Sequence, residues 1–221
     1  MGSITRSFAN NIGSSGILSA SAVTNATVED VTSFDNAASA ATLVLLSTQT
    51  ASSSATISFT TGLDSTYDAY EFHFINVRPA TDNVTFQFNL STDSGSNYNV
   101  TKTTTFFNSY HAESDSPPQD VNYETGSDLA QSTAFQHLTR EQGNGADESL
   151  SGTMQIFNPS STTYVKHFIS RINCYYYDNF TLESYVAGYG NTTSAINAIQ
   201  FKFTSGNIAD GIFKMYGVKK S

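Results

Sequence analysis

The residue types that could do chemistry are few and scattered. His111-Ala112-Glu113-Ser114-Asp115 would place three ligating side chains on one face if extended. Pro117-Pro118 follows closely, so a solvated acidic loop is expected instead. Asp93-Ser94-Gly95-Ser96-Asn97 offers oxygen ligands around a glycine but lacks the closing bidentate Glu of a calcium loop, and reads as a turn. Asp64 and Asp68 flank Ser65-Thr66-Tyr67, which reads as a turn capped by side chains. His73, His111, His137 and His167 share no motif, and no Gly-X-Ser-X-Gly turn or phosphate-binding glycine loop occurs. A glycosidase needs two carboxylates at a set distance, and nothing marks any of the 19 acids as such a pair. Cys174 stands alone, which rules out an intrachain disulfide and predicts a buried strand thiol. Tyr175-Tyr176-Tyr177 could stack on a sugar. In a strand, however, Tyr175 and Tyr177 would point one way and Tyr176 the other, which favours packing or a subunit contact. The expectation is a protein that is not an enzyme and carries no metal or cofactor.

Composition bounds the partners. The net charge is −9, and 16 of the acids lie between Glu29 and Glu148 against Arg78, Lys102 and Arg140. No cluster of Lys and Arg is present to displace counterions, so neither a nucleic acid nor an anionic membrane is an expected partner. No apolar run approaches membrane-spanning length, and the N-terminus lacks the basic-then-apolar pattern of a secretory leader.

The elements that must position any site read as strands. With 12 Tyr, 16 Phe and no Trp, the chain has ample material for a core despite only 13% charged residues. Val84, Phe86, Phe88 and Leu90 alternate with Thr85, Gln87 and Asn89, which predicts one buried and one wet face. Similar runs fall at 41–47, 55–59, 70–74, 103–110, 151–157, 180–186, 198–203 and 212–218. Residues 163–177 are long enough for a strand with a bend. Residues 111–147 read as a long acidic loop region with at most one strand near 133–138. Nine or ten strands at this spacing predict an all-β fold, an antiparallel β-sandwich of jelly-roll type. A closed barrel is the alternative.

Residues 1–40 differ. Isolated apolar residues (Ile4, Phe8, Ile12, Ile17, Leu18, Val23) punctuate a small, polar stretch. Such spacing builds no core, and it predicts an extended N-terminal arm that pins single side chains into a partner. Residues 41–221 form the expected sandwich domain.

The ending, Ile199-Gln200-Phe201-Lys202-Phe203, Ser205-Gly206-Asn207-Ile208 and Gly211-Ile212-Phe213-Lys214-Met215-Tyr216-Gly217-Val218, resembles the C-terminal hairpin of many phage virion proteins. Ser7-Phe8-Ala9-Asn10-Asn11-Ile12, Ala22 to Val28 and Val31-Thr32-Ser33-Phe34 resemble leader segments of cyanophage and related marine phage proteins. Phe157 to Thr162 and Tyr185 to Tyr189 have the same character. The resemblance implies a virion structural protein and brings no catalytic residues with it. The expected role is a capsid decoration (cement) protein, bound to the major capsid protein on the outer shell and anchored by the arm. A homotrimer suits three-fold shell positions. The alternative is a tail-fibre or receptor-binding module recognising host surface glycans, although neither heptads nor repeats supply a fibre shaft.

Overall fold

The alternation seen in the sequence becomes a two-sheet structure. The computed structural model describes residues 43–116 and 119–218, all within one unit. The arm residues Ile4, Phe8, Ile12, Ile17, Leu18 and Val23 lie outside them. Twelve strands occur among the described residues: β1 (Leu43–Ser54), β2 (Ile57–Phe59), β3 (Ala69–Pro79), β4 (Phe86–Ser91), β5 (Lys102–Ala112), β6 (Asp120–Tyr123), β7 (Gln136–His137), β8 (Leu150–Phe157), β9 (Lys166–Tyr176), β10 (Phe180–Gly190), β11 (Ala198–Phe203) and β12 (Ile208–Val218). Every pairing is antiparallel. One sheet runs β1-β12-β3-β8-β9-β10-β5-β6 and the other β2-β11-β4-β7.

The pairings nest. β1 joins β12, β2 joins β11, β3 joins β8 and β4 joins β7, like the rungs of one long hairpin. That hairpin is folded so that successive rungs fall alternately in the two sheets, and β12–β3 and β11–β4 contacts zip the folds together. Two excursions, β5–β6 and β9–β10, extend the larger sheet beyond β8.

The sheets enclose an aromatic core. The Phe201 ring lies 5.0 Å from Phe74, 5.5 Å from Phe72, 5.9 Å from Phe86 and 6.0 Å from Phe213. These residues come from four strands of both sheets, so one side chain ties the layers together. Strand β9 shows the underlying code: Phe168, Ile172 and Cys174 are buried while His167, Ile169, Arg171 and Asn173 are exposed. At the β3–β12 irregularity, Gly211 has φ +137°, and a Cβ there would sit 2.7 Å from Val77 Cα.

Several expectations need correction. Strand β4 has no wet face; all six residues are buried. Phe86, Phe88 and Leu90 enter the core, while loops cover the other side: Asn89 Nδ2 donates to Tyr98 O (2.6 Å) and Thr133 O (2.9 Å). Of the predicted 163–177 run, β9 covers Lys166–Tyr176, and its pairing with β10 holds one register throughout. The first strand continues to Ser54, because backbone pairing with β12 carries the Ser/Thr-rich half regardless of hydropathy. The acidic region holds two short strands, β6 and β7, too brief to show a period.

Candidate functional site

The residues singled out for chemistry do not converge. Among the described residues no group of three or more His, Cys, Asp and Glu could hold a metal ion. Strand β5 ends at Ala112, so His111 and Glu113 do not share an extended face; His111 Nε2 lies 3.3 Å from Asp115 Oδ1. The Asp93 carboxylate is tied to its own loop. It accepts hydrogen bonds from Ser91 Oγ (2.6 Å), the Asn97 backbone N–H (2.8 Å) and Asn97 Nδ2 (2.7 Å). The Ser91 bond and then those from Asn97 hold its pKa down at about 2. Asp64 Oδ1 accepts from the Thr66 N–H at 2.8 Å, which caps the predicted turn. His73 Nε2 meets Glu71 Oε1 at 2.7 Å and its ring packs against Tyr216; His167 packs against Tyr189, and His137 Nδ1 lies 3.3 Å from Ser127 Oγ. Burial pushes the Cys174 thiol up to about 12, which leaves it protonated and inert at neutral pH.

What the fold does assemble is a broad outer face on the larger sheet. Thr153, Arg171, Tyr185, Phe107 and Tyr123 stand opposite one another across β8, β9, β10, β5 and β6. A second row holds Gln155, Ile169, Ala187 and Thr105, and a third His167, Tyr189 and Thr103. Phe107 and Tyr185 are parallel within 5° at 4.8 Å. That distance is the spacing of neighbouring strands, so the rings stand upright on the sheet and offer edges rather than faces to solvent. Arg171 covers the Tyr185 ring at 5.4 Å and donates to Glu183 Oε1, while Tyr185 OH donates to Glu183 Oε2 at 3.0 Å. Beside this row runs a groove of about 470 Å³ lined by Phe107, Ile169, Arg171, Tyr185 and Ala187. It adjoins a second depression that shares Ile169 and Ala187 and continues to His167 and Tyr189. Ile169 is 50% exposed and Phe107 42%, so this apolar surface is open along its length.

The tyrosine triplet lies elsewhere. Strand β9 stops at Tyr176 and Tyr177 enters the turn, so the predicted alternation ends one residue early. Tyr176 and Tyr177 rings sit 4.8 Å apart, and Phe180 meets both Tyr176 (5.8 Å) and Tyr110 (5.9 Å) edge to face. Tyr176 OH donates to Glu141 Oε2 at 2.6 Å; burial first, and then that carboxylate, raises the phenol pKa. Arg140 spans two carboxylates, with Nη1 2.8 Å from Glu124 Oε1 and Nη2 3.0 Å from Glu141 Oε2. These groups border a depression of about 270 Å³ whose lining includes Tyr110, Asn122, Arg140, Tyr177, Asp178 and Phe180. Sequence reasoning found the tyrosines but not Arg140 or Asn122, which lie in the region read as loop and carry no motif. No family model, curated protein or solved structure matches the chain.

Proposed function

We propose that the chain is a structural component of a bacteriophage virion, a capsid decoration protein that binds the outer surface of the major capsid protein shell. The observation that carries this reading is the outer face of the eight-stranded sheet. It is wide and open, apolar at Ile169 and Ala187 in its second row, and edged by upright rings, a surface suited to another protein's surface rather than to a small substrate. Nested pairing of β1 with β12, β2 with β11, β3 with β8 and β4 with β7 supports reading the body as a jelly roll, with β5–β6 and β9–β10 as insertions that widen this face. The resemblance of the 199–218 ending and of the leader segments to marine phage virion proteins points the same way. A net charge of −9 suits the outside of a DNA-filled shell. In this reading the residues 1–40 arm, through Ile4, Phe8, Ile12, Ile17, Leu18 and Val23, anchors the protein, and three copies meet at three-fold shell positions.

Antibody labelling of intact particles tests the location, with label on the head expected. Label confined to the tail overturns the reading. Deletion of residues 2–40 is expected to strip the protein from purified heads, and unchanged occupancy removes the arm as anchor.

A further inference from the structure

We infer that the depression at the β9–β10 turn is a binding site for a neutral pyranose, a function separate from shell attachment. The walls themselves exclude some classes of ligand. Arg140 in the lining is already paired with Glu124 and Glu141, so it presents no net positive charge. Glu124 and Glu141 on either side of it, with Asp178 at the rim, disfavour an anion. A purely apolar ligand would strip water from Asn122 and Asp178, whose side chains have no hydrogen-bond partner among the described residues, and would leave both unpaired. A neutral ring rich in hydroxyls satisfies both conditions.

The remaining geometry fits such a ring. Tyr177 is 41% exposed, and it leans on Tyr176 rather than standing in a closed stack. Its ring is therefore open to the apolar C–H face of a sugar, unlike the upright Phe107–Tyr185 pair. Tyr176 and Phe180 hold the floor in edge-to-face contact, and the bond from Tyr176 OH to Glu141 fixes that floor. Asn122 offers both a donor and an acceptor, Asp178 an acceptor pair, and Arg140 the N–H groups not spent on Glu124 and Glu141. These planar groups match vicinal hydroxyls. A space of about 270 Å³ admits one ring and not a long chain, so the site takes a terminal or branch sugar.

A single-ring site binds weakly, so the test presents the full-length protein to a surface array of oligosaccharides with neutral hexose, amino-sugar and sialylated termini, and to immobilised choline. The expected result is retention on neutral hexose termini. Tyr177→Ala and Asp178→Ala should each reduce retention at least tenfold while Phe107→Ala on the outer face leaves it unchanged. Circular dichroism of each variant should match the parent. No retention on any neutral sugar, retention only on charged termini, or equal retention by Tyr177→Ala overturns the inference. Head occupancy is measured separately, so either reading can fail without the other.

Discussion

Lys102 Nζ donates to Asn89 Oδ1 and to the Val100 carbonyl (2.8 Å), at a site where both Lys102 and Asn89 have no solvent exposure. Both acceptors are uncharged, so among the described residues this buried ammonium has no counter-ion. Asn89 is in turn held by Tyr98 O, Thr133 O and the Leu90 N–H. The pair thus pins two loops beneath β4 while carrying an electrostatic penalty.

Burial lowers the Lys102 pKa from 10.5 to about 7, and burial lowers that of Lys166 as well. Between the folded and unfolded values the unfolded chain binds more protons, so stability must rise with pH there. From pH 7 to 8.5, below the range where Cys174 and the tyrosines oppose the trend, the gain from Lys102 is about 1.5 kcal/mol. Urea midpoints measured across that range should climb. Lys102→Met should flatten most of the climb, and an unchanged slope refutes the assignment.

On the acid side, Asp93 behaves in the opposite sense. Its folded pKa of about 2 lies below the ordinary 3.8, so its contribution is present above pH 4 and is lost as pH falls toward 2. A carboxyl-carbon NMR titration should give a midpoint near 2 in the parent. Ser91→Ala removes the largest cause and should move that midpoint upward by a readily measured amount.

Phe201 contacts aromatic rings from β3, β4 and β12. Phe201→Ala should cost about 3–5 kcal/mol, as a large ring lost from a filled core generally does. Phe201→Leu, which keeps most of the volume, should cost clearly less in the same urea titration. Equal losses would show that the site collapses freely and is not the tie between layers.

Gly211 and Gly126 form a matched contrast. Gly211 holds φ +137° with Val77 Cα 2.7 Å from a would-be Cβ, whereas nothing lies within 4 Å of one at Gly126. Gly211→Ala should lower stability by more than about 1 kcal/mol, and Gly126→Ala should fall within about 0.5 kcal/mol of the parent. Thermal unfolding of both variants checks this.

The strands most legible in the sequence were those whose period came from burial on one side. Phe180, Leu182, Ser184 and Val186 alternate, and so do the inward and outward residues of β9. Legibility failed where another force set the structure. The Ser/Thr half of β1 is held by its ladder with β12, and β6 by four pairs with β5. Strand β4 announced its position but not its surroundings, because part of what covers Gln87 and Asn89 is distant in sequence: His137 pairs with Gln87, and Thr133 O accepts from Asn89. The depression at the β9–β10 turn was half visible. Tyr175-Tyr176-Tyr177 drew notice as a triplet, but Arg140 and Asn122 reach it from segments 37 and 55 residues away from Tyr177. Only folding brings them together.

The nested pairing has a consequence for how the molecule comes into being. Strand β12 lies between β1 and β3, so the partner of β1 is the last of the described strands to leave the ribosome. Contacts between β1 and β12 close a loop of more than 150 residues, and such non-local closure slows folding. Until β12 arrives, β1 has no ladder and β3 lacks one neighbour. The nascent chain therefore exposes unpaired strand edges until β12 is made, a hazard for aggregation that ends only when that strand inserts.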